Sequence, residues 1–416
     1  MGVSVSTLTE TPTIRTLNQS MKEISRIVDV FEHVDFTQRK AALATVVWVE
    51  GSSYRRPGAR MLITDDGRWE GAISGGCLEG DALRKARQVM LDGEPIVVTY
   101  DTMDDGANSF GVGLGCNGII DVLIEPINPN QAQNPIALLK EFTQKRDVRV
   151  LGTVLKSDVY TGLTPGNRFV LTDADSESIP DWLQEDMEVV FATGKPLTKA
   201  YTVQSGIAEV FIERIDPGIE LIIFGAGYDV VPVAKLAREL GWQVTVTDDC
   251  VAHLSPKRFP VATCVLYADR QAVLDQLTIT SRTAAVLMSH NFNYDRAVLQ
   301  GLLTTEVPYI GILGPRKRFD KMQDEFEKAG QPVTEADRHR VHAPIGLDLG
   351  AETPDEIALS IIAEIKAFFT KRSGSFLKIK TGPIHERLSG NVPNHSRQLD
   401  QVDLDTLGLG TVGLDA

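Results

Sequence analysis

Cysteine is scarce: the chain has four in 416 residues. So few over this length exclude a disulfide-built scaffold and fit a reducing compartment, the cytoplasm. Long hydrophobic runs are missing too, and no apolar stretch could span a bilayer. Residues 1–22 are a polar leader rich in Thr and Ser, without the apolar core of a secretory signal. Positive charge is in deficit. The formal net charge of −14, with no basic block to offset it, argues against nucleic acid and anionic membranes as partners. No Ser-His-Asp order, His-Glu-x-x-His or P-loop occurs, so a self-contained hydrolase or NTPase is unsupported.

What is present is a duplication. Pro57-Gly58-Ala59-Arg60, leading into Met61 to Asp65, matches Pro165-Gly166-Asn167-Arg168, leading into Phe169 to Asp173. Val122-Leu123-Ile124-Glu125 likewise returns as Val210-Phe211-Ile212-Glu213. The first copy carries two cysteines that the second has lost: Cys77 after Gly75-Gly76, and Cys116 within Gly113 to Gly118. Features kept by both copies are expected to serve folding, and those of the first copy alone to serve a ligand. By that comparison Pro57, Gly58 and Arg60 are structural. Arg55 and Arg56, which face Leu163 and Thr164 in the second copy, are the better candidates for anion binding. Ser52 and Ser53 add hydroxyls to the same loop. Two thiols in glycine turns suit a soft metal or sulfur-rich cofactor, and neither has the CxxC spacing of structural zinc. Two buried core cysteines are the plainer alternative.

From Gly218 strands and helices alternate, the pattern of a parallel sheet. Gly225-Ala226-Gly227 follows a strand and opens a helix, with Asp248 and Asp249 after the next strand, the setting of a dinucleotide fingerprint. Two acids there favour NAD, or another adenosine, over NADP. Val230 in place of the third glycine, and Asp229 in the first helical turn, depart from that pattern. His290 follows a later strand at the ligand-binding edge, as a candidate ligand or proton shuttle. The glycine-rich loop His342 to Gly350 is placed to close over the same crevice. Thr353-Pro354-Asp355-Glu356 is a capping box ahead of the last helix. The fold class expected is α/β: an N-terminal α+β cysteine-bearing domain with a degenerate internal repeat, then a C-terminal Rossmann-like parallel sheet. The boundaries fall at 23–130, 131–217 and 218–371, with 372–416 a disordered tail.

Gly51 to Arg60, Gly71 to Asp81, Gly113 to Gly118, Gly225-Ala226-Gly227 and Pro344 to Glu356, taken in this order, resemble the xanthine dehydrogenase accessory factor family (XdhC/CoxI). The resemblance covers roughly Glu23 to Lys371. It implies a chaperone that binds molybdenum cofactor, keeps it safe during sulfuration and delivers it to a xanthine dehydrogenase-like molybdoenzyme, without turnover of its own. It further implies Cys77 and Cys116 as molybdenum or cofactor contacts, a cysteine desulfurase as sulfur donor, and a homodimer. Two other readings compete. One is an NAD-dependent oxidoreductase with His290 as acid/base, and the other an adaptor protein whose cysteines are core residues.

Overall fold

β-Branched and small apolar residues fill Ala41–Gly51, which becomes β1, the centre of the first sheet. The structure, a computed structural model, describes residues 19–51, 53–102, 118–131, 134–172 and 179–381. Around β1 stand β2 (Arg60–Thr64), β3 (Trp69–Gly71), β4 (Ile96–Asp101) and β5 (Gly118–Ile127), in the order β3-β2-β1-β5-β4. Every pairing is antiparallel. Helix α1 (Gln19–Glu32) precedes the sheet, and α2 (Glu79–Asp92) ends on the left-handed Gly93.

The second sheet repeats the first. Its elements are α3 (Pro135–Gln144), β6 (Arg149–Ser157), β7 (Arg168–Thr172), α4 (Asp181–Thr193), β8 (Leu197–Val203) and β9 (Gly206–Ile215), with strand order β7-β6-β9-β8. That is the first order without β3. Even the irregularity is copied: β1 slips register on β5 between Val46 and Trp48, and β6 on β9 between Val154 and Lys156.

The two sheets pack face to face. Alternation along β1 sends Ala42, Ala44 and Val46 toward the α2 side, while Val47 joins Leu123, Leu155 and Phe211 in a cluster between the sheets. Arg60 donates across the gap to Glu213, and Arg168 donates back to Glu125. Each guanidinium also caps its own loop, Arg60 Nη1 on Gly58 O at 2.8 Å and Arg168 Nη1 on Gly166 O at 2.7 Å. The two copies thus form an internal pseudo-dimer. Arg60 and Arg168 play the structural part that the duplication indicated.

The third sheet is parallel throughout: β10 (Glu220–Phe224), β11 (Gln243–Asp248), β12 (Cys264–Tyr267), β13 (Thr283–Leu287), β14 (Tyr309–Ile312) and β15 (Val341–His342), in the order β12-β11-β10-β13-β14-β15. Its helices are α5 (Val230–Glu239), α6 (Phe292–Leu302), α7 (Arg316–Lys328), α8 (Glu335–Arg340) and α9 (Pro354–Phe369). The direction of winding reverses between β10 and β13, the switch point of a Rossmann fold. Thr353 and Glu356 form the expected capping box at the start of α9. The α/β class holds, an antiparallel N-terminal part followed by a Rossmann-like domain. Among the described residues, no helix is long and apolar enough to cross a membrane.

Candidate functional site

Strand directions bring the N-terminal motifs together. β1 ends at Gly51 opposite Gly118, where β5 begins; β4 ends at Asp101 beside Ile119; β3 ends at Gly71 beside Met61 of β2. The loops 52–59, 72–78 and 102–117 therefore all leave the same edge of the first sheet. Cys116 and Ser52 lie outside the described residues.

At that edge the Cys77 turn is built by two side chains that sequence reading did not single out. Ser74 Oγ accepts from Gly76 N at 3.2 Å and Leu78 N at 3.1 Å, and donates to Glu79. The Glu79 carboxylate also accepts from Ser74 N at 2.8 Å and Ile73 N at 3.2 Å. Burial alone would raise its pKa, but these bonds outweigh that and hold it below the ordinary value of 4.5. The Glu79 carboxylate thus braces the backbone of the turn. The clue available was its spacing from Ser74, a serine five residues before an acid at a helix start.

Gly76 needs its left-handed φ of +112°, whereas a side chain added at Gly75 would only touch the ring of Tyr54, at 3.5 Å. The exposed Tyr54 thereby joins the 52–59 loop to the cysteine turn. Cys77 is half-buried, its sulfur free, against the core beneath α2. Arg55 turns inward to bond Glu23 of α1, so it is partly committed. Ser53 Oγ and Arg55 Nε are buried with no hydrogen-bond partner. Orphaned polar atoms in the loop that Tyr54 joins to the cysteine turn are features expected where a polar ligand inserts. The residues therefore fit molybdopterin, which presents a phosphate, a polar pterin and a dithiolene-bound metal. Among the described residues there is no group of three or more His, Cys, Asp or Glu able to hold a metal ion by itself.

The second copy lacks such an edge. Its β8–β9 connection is the two-residue turn Gln204-Ser205, where the first copy has residues 102–117. Asp158 stitches it shut, accepting from Ile207 N at 2.8 Å through its side chain and donating from its own N–H to Ile207 O at 3.0 Å.

The Rossmann motifs occupy a different place. Gly225 is at the switch point, and a Cβ there would come within 2.6 Å of the Met288 and Ser289 backbone. Asp248 is buried, its Oδ2 accepting from Ala226 N at 2.9 Å and its Oδ1 from Cys250 N at 2.8 Å. Asp249 pairs with Arg270. The carboxylates expected to meet a ribose are thus turned onto the protein itself. Val230, in the third glycine's place, is fully buried in the core. His290 stands beside Gly227, with φ +60° and its Nε2 2.9 Å from Asp229 Oδ2. The buried Asp295 fixes that loop through Ser289 Oγ at 2.5 Å and is itself held by Arg318 at 2.6 Å. With Asp229 and His290 at its mouth and Ala226 N–H already taken, this crevice does not fit the pyrophosphate of NAD as it stands.

The glycine loop after His342 is fixed to α9 through Glu364, which accepts from Gly346 N at 2.5 Å, and Ser360 Oγ, which donates to Leu347 O at 2.5 Å.

The two candidate regions lie at opposite ends of the parallel sheet. Lys22 of α1, the helix whose Glu23 holds Arg55, donates to Glu239 O at the end of α5, on the amino side of the sheet, at 2.7 Å. His290 and Gly225 sit at the carboxyl edge, a five-residue strand away, about 17 Å.

Two family models match the chain, XdhC and CoxI family over residues 37–101 and XdhC Rossmann domain over 221–365. A Bacillus subtilis protein, named as a probable component of xanthine dehydrogenase, is 32% identical over 334 residues, which span 79% of this chain and 93% of that one. The chain belongs to the XdhC/CoxI family. A more distant relative, the Escherichia coli molybdenum cofactor insertion chaperone PaoD, is 24% identical over 78% of this chain and 82% of its own. A crystal structure described as a xanthine dehydrogenase from Bacillus halodurans superposes with a TM-score of 0.64 at 28% identity, covering 84% of this chain and 98% of that one. The XdhC/CoxI model ends at residue 101, ahead of Cys116; the half of the edge it spans includes Arg55, Arg56 and the Cys77 turn.

Proposed function

We propose that this XdhC/CoxI protein binds molybdenum cofactor at the open edge of its first sheet and passes it to a xanthine dehydrogenase-type enzyme. The observation that carries the reading is that the strand ends flanking 52–59, 72–78 and 102–117 share one edge, set against the stitched edge of the second copy. Two relatives supply the direction: one is named as part of a xanthine dehydrogenase and the other as a molybdenum cofactor insertion chaperone.

The bound cofactor would bring a reactive molybdenum–sulfur centre that water and oxygen degrade. The Cys77 thiol would lie beside that metal, with Cys116 joining it from the 102–117 loop. Ser53 and the backbone amides of the glycine turns would satisfy the polar pterin. Residues 23–130 are then the cargo-holding unit, and 131–217 the buttress that keeps its back face dry. Custody of this kind allows sulfuration by a cysteine desulfurase while the cofactor is held, and a homodimer could shield the edge further.

The test is anaerobic equilibrium binding of molybdenum cofactor to the whole chain, wild type beside Cys77→Ala, with folding followed by circular dichroism. Stoichiometric binding by wild type, weakened in a folded Cys77→Ala protein, is the expected result. A folded wild-type protein that binds no cofactor would end the proposal.

A further inference from the structure

A groove of about 520 Å³ lies between the first half of α2 and the end of β4. Asp81, Arg84 and Lys85 line it from the helix, and Thr99 and Tyr100 from the strand. Tyr100 is the last residue but one of β4, beside the open edge. Asp81 is the acid of this groove, and its side chain is only 8% exposed. Arg84 stands 2.8 Å from its Oδ1, while Oδ2 is buried with no hydrogen-bond partner. Tyr100 faces the same carboxylate; burial first, and then the charge of Asp81, push its phenol above the ordinary pKa. A carboxylate offers about four acceptor sites, so Arg84 and Tyr100 together leave some open. An acid in a first helical turn suits the helix dipole, but the dipole does not require a sealed oxygen without a donor. Glu79 differs, its oxygens being committed to Ile73 and Ser74. Arg84 covers Asp81 loosely: its own side chain is 70% exposed, the geometry of a weakly held pair. Its guanidinium presents parallel N–H donors to a carboxylate. The aminopyrimidinone edge of a pterin presents the same pair, from its 2-amino group and N3.

We infer that Asp81 is the residue that reads the pterin, accepting from its 2-amino group and N3–H at the place now held by the Arg84 guanidinium. The ligand's identity as molybdopterin rests on the proposed function; a site for a ring with paired donors rests on the groove and on Asp81. The backbone amides of the glycine turns are donors and cannot serve that edge of the pterin, so an acceptor has to come from elsewhere. Cys77 stands four residues before Asp81, which keeps their Cα atoms within about 14 Å. A tricyclic pterin carrying its metal can bridge such a gap. Arg84, once displaced, and Lys85 remain on the groove wall to meet the phosphate of the same ligand.

The test uses the full chain and three metal-free probes, titrated calorimetrically. These are pterin, lumazine (a carbonyl in place of the 2-amino group) and guanosine, which carries the same donor edge on another ring. Wild type is compared with Asp81→Asn and with Asp324→Asn, an exposed control on α7, each checked for folding by circular dichroism. Wild type is expected to bind pterin about tenfold or more tightly than lumazine. Asp81→Asn should lose that preference and the control should keep it. Wild type that binds no pterin, or binds it no better than lumazine, overturns the inference, and this comparison does not depend on a variant folding. Guanosine bound more tightly than pterin overturns the assignment to a pterin. A parallel titration with molybdenum cofactor separates the two ideas. Equal cofactor binding by wild type and Asp81→Asn removes Asp81 as the reader and leaves custody standing. A pterin preference that depends on Asp81, in a chain that binds no cofactor, does the reverse.

Discussion

Glu79 holds the cysteine turn from beneath, and its removal has a definite signature. With three bonds directed at one buried carboxylate, Glu79→Ala leaves Ile73 and Ser74 donors without partners. The expected loss is about 1–3 kcal/mol of stability, read by denaturant melts, with faster amide exchange confined to residues 73–78. The pH dependence follows from the same bonds. Because folding lowers the Glu79 pKa, its contribution is complete above the ordinary value of 4.5 and disappears as pH falls through the lower folded value. Acid melts of wild type and Glu79→Ala should therefore converge below that value; curves that stay parallel would exclude the assignment. Arg55 and Arg56 show why such roles escape a sequence. Neighbours in the chain and alike in charge, they are not equivalent, because Arg55 meets Glu23 of α1, a partner set only by the tertiary fold.

Among elements, the most telling contrast is between the β4–β5 and β8–β9 connections. Strands such as Arg60–Thr64 and Gly118–Ile127 were legible, as apolar β-rich runs bounded by turn residues. Their convergence on one edge was not, since it depends on pairing register between segments far apart in sequence. Helices α6 to α8 also went unread. α7 is strongly charged, with only Met322 and Phe326 buried, so its apolar period is thin. The glycine fingerprint was found in its expected place after β10, but its chemistry is altered by side-chain directions that no motif encodes. Gly225 tests that element directly. Gly225→Ala must place a Cβ within 2.6 Å of the Met288 backbone at φ +123°, which costs about 1–3 kcal/mol from backbone strain alone. A lowered melting temperature with early exchange in the 288–291 loop is expected, and an unchanged melt would show that the contact relaxes freely.

For the molecule as a whole, the paired sheets carry the largest single electrostatic commitment. Arg60 and Arg168 are each nearly sealed from water and each tied to an acid of the opposite copy. Removing one partner strands a buried carboxylate, so Arg60→Ala and Arg168→Ala should each destabilise by about 3–5 kcal/mol. Chemical denaturation measures this, and a loss for only one of the two would break the symmetry argument. The duplication that announced this arrangement was readable because both copies kept Pro, Gly and Arg at the same spacing. What each arginine bonds became clear only once the two sheets faced each other.

These crossed pairs also put a timetable on biosynthesis. Arg60 leaves the ribosome 153 residues ahead of Glu213, and Glu125 leaves 43 residues ahead of Arg168. At ordinary elongation rates those gaps are roughly 8–30 s and 2–9 s. For that interval the nascent first copy shows Val47, Leu123 and two unmatched charges to whatever surrounds it. A holding partner at the ribosome, or slow commitment of the first sheet, would protect the chain until its second half arrives to cover the first.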